Sequence, residues 1–205
     1  MAKTSKKEKK ISVVISGMPS VGKTTAANAI AEKYKLKHVA GGDMLKEMAI
    51  EQGYALSGPE WWDTEAGMAF ISERKKNPDF DKEVDRRLMK YLKSGNVVMT
   101  SYPMPWLVKD DGLKLWFHAS QKKRAERLAG RDRISKSKAL SIIRKRDRDN
   151  KKVYKSLYGI CFGEDLTPFH YIIDTNKMTA QEVAKASTKI VEEYARSLPD
   201  DPVGE

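Results

Sequence analysis

A glycine-rich turn near the amino terminus constrains this chain more than any other stretch. Residues 11–15, ISVVI, are an apolar run rich in β-branched side chains, which is typical of a buried central strand. Gly17 and the triplet Gly22-Lys23-Thr24 then follow with the spacing of a P-loop. The alanine-rich residues 26–31 predict a helix. The turn therefore lies between a strand and the first turn of a helix, where a phosphate-binding loop has to lie.

The residue types in this turn point to a nucleoside triphosphate and Mg²⁺. Glycines at 17 and 22 allow backbone N–H groups to face an anion, and the start of the helix adds its positive dipole end. We expect Lys23 to reach the β- and γ-phosphates, Thr24 to offer its hydroxyl to Mg²⁺, and Thr25 to lie beside the α-phosphate. A chance glycine loop is the alternative, and the flanking strand and helix argue against it. The predicted phosphate-binding set is Gly17, Met18, Pro19, Ser20, Val21, Gly22, Lys23, Thr24 and Thr25.

Length and charge limit the remaining possibilities. The 205 residues predict one domain over 11–205, preceded by a basic tail at 1–10 that we expect to be disordered. A formal net charge of +11 suits anionic partners, which are nucleotides, nucleic acid or both. No apolar run is long enough to span a membrane. A single cysteine, Cys161, excludes an internal disulfide and fits a reducing cytoplasm, and we interpret it as a packing residue.

Strand and helix patterns alternate along the chain. This alternation predicts an α/β fold of three layers, with a five-stranded parallel sheet between helices. The ends of the strands, at Gly17, 41–43, 100–102 and 119–120, should converge on one cleft. The later strands are predicted at 36–39, 97–99, 113–117 and 171–173. Helices are predicted from Met44 after a break at 41–43, around Phe80 to Leu92, at 121–131, from Ser135 to Tyr154, and after Thr179.

Two largely helical segments carry most of the positive charge. Residues 43–95 contain Lys46, Arg86 and Arg87, and the second segment, 124–155, is dense in lysine and arginine. Bringing two anionic nucleotides together needs many cations around the transferring phosphoryl group. A basic segment that closes over them would supply these cations and exclude water. The alternative is a solvated helix face, which the neighbouring P-loop makes the weaker interpretation.

The chain resembles the nucleoside monophosphate kinases, which are P-loop NTPases, and most closely the archaeal type of cytidylate kinase. The resemblance covers nearly the whole chain after the tail. It implies transfer of the γ-phosphoryl group of ATP to CMP or dCMP, giving CDP or dCDP, with Mg²⁺. The stretches that carry it are GMPSVGKTT (17–25), AGGDMLKEMA (40–49), FDKEVDRRL (80–88), RAERLAGRD (124–132), RDRDNKKVYKSLYGI (146–160) and YIIDT (171–175).

The resemblance also implies roles for individual residues. Residues 43–95 match the monophosphate-binding insert, with Asp43 and Lys46 at the mouth of its site. Lys46 stands where the family usually has arginine, and lysine lacks the bidentate fork. Arg86 and Arg87 match paired arginines on the monophosphate-binding helix.

The lid implied by the resemblance spans residues 124–155. Arg127 and Arg131 match lid arginines that clamp the phosphates, and together with Lys23 they are the predicted catalytic residues. Arg146 and Asp149 fall in the stretch that contacts the acceptor. Mg²⁺ is expected on Thr24.

One departure from the family pattern affects the acceptor side. Thr100-Ser101-Tyr102 stands where the family has an acidic residue, glycine and arginine, and Val153 replaces a further arginine. Three explanations are open: activity persists with other residues filling in, the acceptor has changed, or the protein binds nucleotide without catalysis. Tyr102 and Pro103 could stack on the acceptor base in place of the lost arginine.

Two other functions compete with a cytidylate kinase. One is a kinase of another nucleoside monophosphate or a small cofactor precursor. The other is a P-loop protein that binds RNA, although acidic residues at Glu47, Asp81 and Asp85 argue against a continuous RNA-binding surface. We therefore expect a cytoplasmic monomer that binds no membrane, with nucleic acid as a possible but not a favoured partner. We interpret the tryptophans as core residues in preference to residues that stack on a base; these are Trp61, Trp62 and Trp106. We predict no zinc site at the histidines, which are His38, His118 and His170.

Overall fold

The computed structural model describes residues 10–54, 66, 69, 70, 73, 77–109 and 112–199. The tail at 1–9 and the tryptophans at 61 and 62 lie outside this part of the chain. The strands are β1 (Ser12–Gly17), β2 (Lys37–Ala40), β3 (Val97–Thr100), β4 (Leu113–His118) and β5 (Tyr171–Asp174). The helices are α1 (Lys23–Tyr34), α2 (Gly41–Glu51), α3 (Asp79–Ser94), α4 (Met104–Leu107), α5 (Gln121–Asp132), α6 (Lys136–Tyr158) and α7 (Ala180–Ser197).

The five strands form one parallel sheet in the order β2-β3-β1-β4-β5. Strand β1 lies at its centre, and Val14 stands opposite Met99 of β3 and Lys114 of β4. The predicted fold class and the five predicted strands are confirmed. Because all strands run the same way, the residues that follow each of them meet at one edge of the sheet.

Alternate residues of β1 build two separate cores, which makes the fold three-layered. Val13 and Ile15 pack on one face, together with Ile30 of α1 and Val191 of α7. Val14 packs on the other face, in a cluster with α2 and α3 residues. A strand buried on both faces reads as a continuous apolar run, which is what residues 11–15 show.

Aromatic side chains form a third cluster beside the carboxyl edge of the sheet. Trp116 of β4 is buried against Phe162 and Tyr154, and Trp106 contacts Phe169 with ring centroids 5.0 Å apart. Trp106 is thus a packing residue, as predicted. The cluster fixes the carboxyl-terminal end of α6 against the residue that follows β3, Tyr102.

Several local predictions are wrong. Gly41–Asp43 do not break the chain but form the first turn of α2, which begins directly after β2. A Cβ at Gly41 would lie 3.6 Å from the Thr100 carbonyl oxygen, which is an ordinary contact, so this position does not require glycine. The segment around Pro103 includes the short helix α4. Cys161 is exposed rather than packed. Within the residues given above, no helix has the length and apolar character needed to cross a bilayer.

Candidate functional site

The loop between β1 and α1 has the backbone of a phosphate cradle. Gly17, Ser20 and Gly22 have positive φ angles of 143°, 63° and 100°. Successive residues of this kind turn backbone N–H groups toward one concave face. Gly17 is required by its surroundings, since a Cβ there would lie 2.4 Å from the Phe117 carbonyl oxygen. The Ser20 hydroxyl is buried and has no hydrogen-bond partner in the part of the chain that the structure describes. Both features fit a bound anion.

Lys23 lies folded across this cradle. Its Nζ donates to the carbonyl oxygens of Gly17 (2.7 Å) and Met18 (2.9 Å) and lies 4.8 Å from the centre of the Tyr102 ring. Desolvation by burial, and then the positive charges of Arg146 and Arg124, lower the pKa of Lys23 to about 7, against the opposing effect of Asp147. The Lys23 side chain therefore changes its charge close to neutral pH.

The lowered pKa of Lys23 predicts pH-dependent phosphate binding. Phosphates favour the charged ammonium, which is fully present below about pH 7 and is lost as the pH rises through that value. Between about pH 7.5 and 8.5 most Lys23 side chains are neutral and must take up a proton to bind phosphate. With a pKa of about 7, the affinity for ATP should therefore fall about eightfold over this range. Titration calorimetry in buffers of different ionisation enthalpy measures this uptake. An affinity that is flat over this range would contradict the prediction, and a Lys23→Met variant provides the flat reference.

A buried ion pair joins the P-loop to the two basic helices. Arg124 of α5 is 3% exposed, and its Nη1 and Nη2 donate to the two carboxylate oxygens of Asp147 in α6 (2.9 and 2.6 Å). The same guanidinium donates to the carbonyl oxygens of Pro19 (3.3 Å) and Ala119 (3.1 Å). Gln121 also donates to Asp147. Sequence reasoning missed this pair, because only the fold brings together two residues 23 positions apart.

Arg127 lies on the other side of the P-loop. It donates to the carbonyl oxygens of Val21, Thr175 and Met178, and to the Thr175 hydroxyl at 3.0 Å. These bonds tie α5 to the loop between β5 and α7. A cavity of about 390 Å³ opens beside Arg127 next to Thr25, and its other lining residues include Lys123, Lys177 and Thr179. The cavity adjoins the end of the P-loop that faces away from Tyr102.

The remaining predicted lid residues, Arg131, Arg146 and Asp149, differ in their partners and in their position relative to the P-loop. Arg131 is exposed and paired with the adjacent Asp132. Arg146 is close enough to lower the pKa of both Lys23 and Asp132 through its charge. Asp149 pairs with Lys145, 3.2 Å away on the same helix. Of these three, Arg146 alone is placed near the P-loop.

The predicted acceptor residues lie on α2 and α3. Asp43 is exposed in the first turn of α2, at the carboxyl end of β2. Arg87 instead makes a bidentate contact with Glu51 (2.7 and 2.8 Å) and a third bond to Glu83 (3.0 Å), and these carboxylates raise its pKa. Arg86 is exposed and also pairs with Glu83. Lys46 lies in the middle of α2, one turn beyond Asp43.

Two acidic residues that were expected on the surface are buried. Asp81 and Asp85 are 8% and 5% exposed on the inner face of α3. Asp85 accepts a hydrogen bond of 2.6 Å from the hydroxyl of Tyr158, and burial together with this bond raises the pKa of Tyr158. The bond joins the last turn of α6 to α3, and so links the predicted lid to the predicted acceptor segment. These two aspartates do not form an acidic surface.

Tyr102 occupies a position that changes its expected role. Its carbonyl oxygen accepts a bond from Ser16, and its ring packs edge-on against Phe162 with centroids 5.5 Å apart. Another part of the ring faces the Lys23 ammonium. Because Lys23 is the residue expected to reach the phosphates, the ring contacts the side chain that would bind them. Thr100 and Ser101 are buried.

Comparisons with known proteins agree with this arrangement. The family that matches residues 12–177 is described as the cytidylate kinase-like family. The cytidylate kinase of Pyrococcus horikoshii is 35% identical over 196 residues, which cover 96% of this chain and 93% of that protein. The cytidylate kinase of Methanocaldococcus jannaschii is 35% identical over 175 residues, covering 83% and 92%.

Solved structures support the fold alone. A shikimate kinase from Acinetobacter baumannii superposes with a TM-score of 0.56 at 17% identity, covering 94% of this chain and 97% of that one. A gluconokinase from Sinorhizobium meliloti gives a TM-score of 0.51 at 15% identity, covering 93% and 96%. The extent of the sequence match decides the family, and the chain belongs to the cytidylate kinase-like family.

Proposed function

We propose that this protein is an ATP-dependent kinase of CMP and dCMP. The proposal rests on the P-loop at the carboxyl edge of the parallel sheet, where Lys23 folds across the loop. It is supported by relatives that are cytidylate kinases and match this chain over nearly their whole length. The helical segments that begin at α2 and α5 flank that edge and are suited to binding acceptor and donor. A cytoplasmic location is part of this proposal, since a single cysteine fits a reducing compartment.

Catalysis would consist of positioning and charge neutralisation. Lys23 would leave the carbonyl oxygens that it now contacts and bind the transferring phosphoryl group. Arg146 lies close enough to add positive charge, while Arg124 holds the loop through Pro19. No covalent intermediate on the protein is needed.

The residues present fit Mg²⁺ on the donor phosphates. Thr24 is exposed in the first turn of α1, where its hydroxyl can complete a coordination shell made otherwise of phosphate oxygens and waters. Among the residues given for the fold, no three His, Cys, Asp or Glu side chains cluster as a separate metal site. Mg²⁺ bound there would neutralise charge on the triphosphate.

The donor base would occupy the cavity beside Arg127, and the acceptor would bind near Asp43 and Lys46. Arg131 and Arg86 are each held by an exposed ion pair, which typically contributes about 0–1 kcal/mol and is easily exchanged for a phosphate. Both can therefore join the site when the lid closes. Arg87 has three bonds to two carboxylates, and we assign it to holding α3 against α2.

An acceptor panel tests the proposal. ADP release is measured with ATP and, in turn, CMP, dCMP, UMP and AMP. We expect kcat/KM for CMP and dCMP to exceed the value for AMP by at least about tenfold, the discrimination that a few base-specific hydrogen bonds provide. A different preferred acceptor would assign the chain to another monophosphate. ATP binding without turnover on any acceptor would make it a binding protein.

The position of Tyr102 leads to a separate prediction. Its ring should hold the Lys23 ammonium in place, and a desolvated cation–π contact contributes about 1–2 kcal/mol. Tyr102→Leu should then lower kcat by roughly 5- to 30-fold, whereas Tyr102→Phe, which keeps the ring, should stay within about threefold. Steady-state kinetics with CMP as the varied substrate measures both. A raised KM for CMP at unchanged kcat would instead support stacking on the acceptor base.

A further inference from the structure

The outward face of α6 is dense in positive charge. The helix carries nine lysines and arginines and two aspartates. Ala139, Ile143, Asp147 and Tyr154 turn toward the body of the protein and are buried. The exposed cations on the opposite arc define what we call the α6 basic face: Arg144, Lys145, Arg148, Lys151, Lys152 and Lys155.

Three of these six cations have no partner among the residues that the structure describes. Lys145 pairs with Asp149, Lys151 pairs with Glu164, and Lys155 donates to the Gly159 carbonyl. Arg144, Arg148 and Lys152 make no ion pair or hydrogen bond to any residue whose position the structure describes. On α7, in contrast, Lys189 and Arg196 each lie against a glutamate of their own helix.

The spacing of the three unpartnered cations is regular. They follow each other at intervals of four residues, so they stand about 6 Å apart along one side of the helix. Like charges at this spacing repel and destabilise an isolated helix by a few tenths of a kcal/mol per pair. An anion with closely repeated charges that lies along the helix would relieve this repulsion. A polynucleotide backbone has such a repeat of phosphates.

This face does not belong to the nucleotide site. Asp147, on the buried side of the same helix, is bound to Arg124 and through it to the P-loop. The basic face therefore points away from the P-loop. Of the three acidic residues expected to interrupt an RNA-binding surface, Asp81 and Asp85 are buried in α3, and the exposed Glu47 belongs to α2 and not to α6.

We propose that the α6 basic face binds the phosphate backbone of single-stranded nucleic acid, without reading its sequence. This function is additional to phosphoryl transfer and does not depend on it. The face is a row of charges on a convex helix, with no exposed aromatic side chain on the arc that could stack on bases. Recognition should therefore be electrostatic and strongly salt-dependent.

The test uses the full-length protein and a fluorescein-labelled oligouridine of about 20 nucleotides. Fluorescence anisotropy gives the affinity between about 50 and 200 mM salt. The variant Arg144→Gln/Arg148→Gln/Lys152→Gln removes the unpartnered row. Its matched control, Lys90→Gln/Lys93→Gln/Lys185→Gln, removes the same charge from exposed lysines on α3 and α7. Glutamine is a good helix former, and thermal melting confirms that both variants are folded.

We expect the α6 variant to bind at least about tenfold more weakly than the control at low salt, with a salt slope lower by about 2, as three lost phosphate contacts on a single strand predict. The single variant Arg148→Gln should lower the slope by about 0.7. A DNA strand of the same length should bind within about fivefold of RNA, since both present the same backbone. Equal losses in both triple variants, no binding of either strand, or binding only to phosphatidylglycerol vesicles would each overturn the proposal.

Discussion

Replacing Lys23 with methionine is expected to lower kcat for CMP phosphorylation by about 10²- to 10³-fold, which is the usual loss when one charge-stabilising group is removed from an active site. The ammonium lies at the carbonyl oxygens of Gly17 and Met18, within reach of the phosphates that the loop would hold. Methionine fills similar space without the charge. Steady-state ADP release with saturating ATP and CMP measures the effect.

Stability separates this result from misfolding. Burial lowers the pKa of Lys23, so the folded state disfavours its charged form, and this cost is fully present below about pH 7 and fades as the pH rises toward the ordinary value of 10.5. The Lys23→Met variant should therefore have a thermal unfolding midpoint at pH 6 that equals or exceeds the value of the unchanged protein. A variant with normal stability and undiminished kcat would exclude a catalytic role for Lys23. Loss of stability would show that its two hydrogen bonds hold the loop together.

Local sequence patterns were sufficient to predict most of the fold. The apolar run before Gly17 predicts β1 because that strand is buried on both faces, and Ser135 and Thr179 predict helix starts because their hydroxyls accept the bonds expected of caps. The prediction failed at Gly41–Asp43, which form the first turn of α2 although glycine has a low helix propensity. Tertiary contact decides such positions, and it cannot be read from neighbouring residues.

The candidate site was predictable where one segment forms it and unpredictable where several do. The P-loop is contiguous, so its spacing identifies it. Arg124 and Arg127 both belong to a basic stretch and look alike in sequence, yet one is buried against Asp147 and the other binds the loop after β5. Arg87 is predicted to contact the acceptor, and the pattern of its own helix gives no sign of its partner Glu51 on α2. Periodicity gives the face of a helix and not the element opposite it.

The buried pair of Arg124 and Asp147 should dominate the stability of the loop region. Asp147→Asn leaves a guanidinium that is 3% exposed without its counter-charge, and breaking a buried pair in this way typically costs about 3–5 kcal/mol. Urea unfolding measures the change. Asp149→Asn is the matched control on the same helix, since its pair with Lys145 is exposed and should contribute less than about 1 kcal/mol.

A double-mutant cycle shows whether the pair acts as a unit. Arg124→Met combined with Asp147→Leu replaces both charges by apolar groups and should be less destabilising than either single change, because no buried charge is left alone. ATP affinity should still fall in the double variant, since the bond from Arg124 to the Pro19 carbonyl is lost with the guanidinium. A loss of under about 1 kcal/mol in Asp147→Asn would mean that the two side chains are not paired in solution. If the double variant recovers stability but binds ATP more weakly, the ion pair serves to position the P-loop. The buried charges would then destabilise the fold while ordering the loop for phosphate.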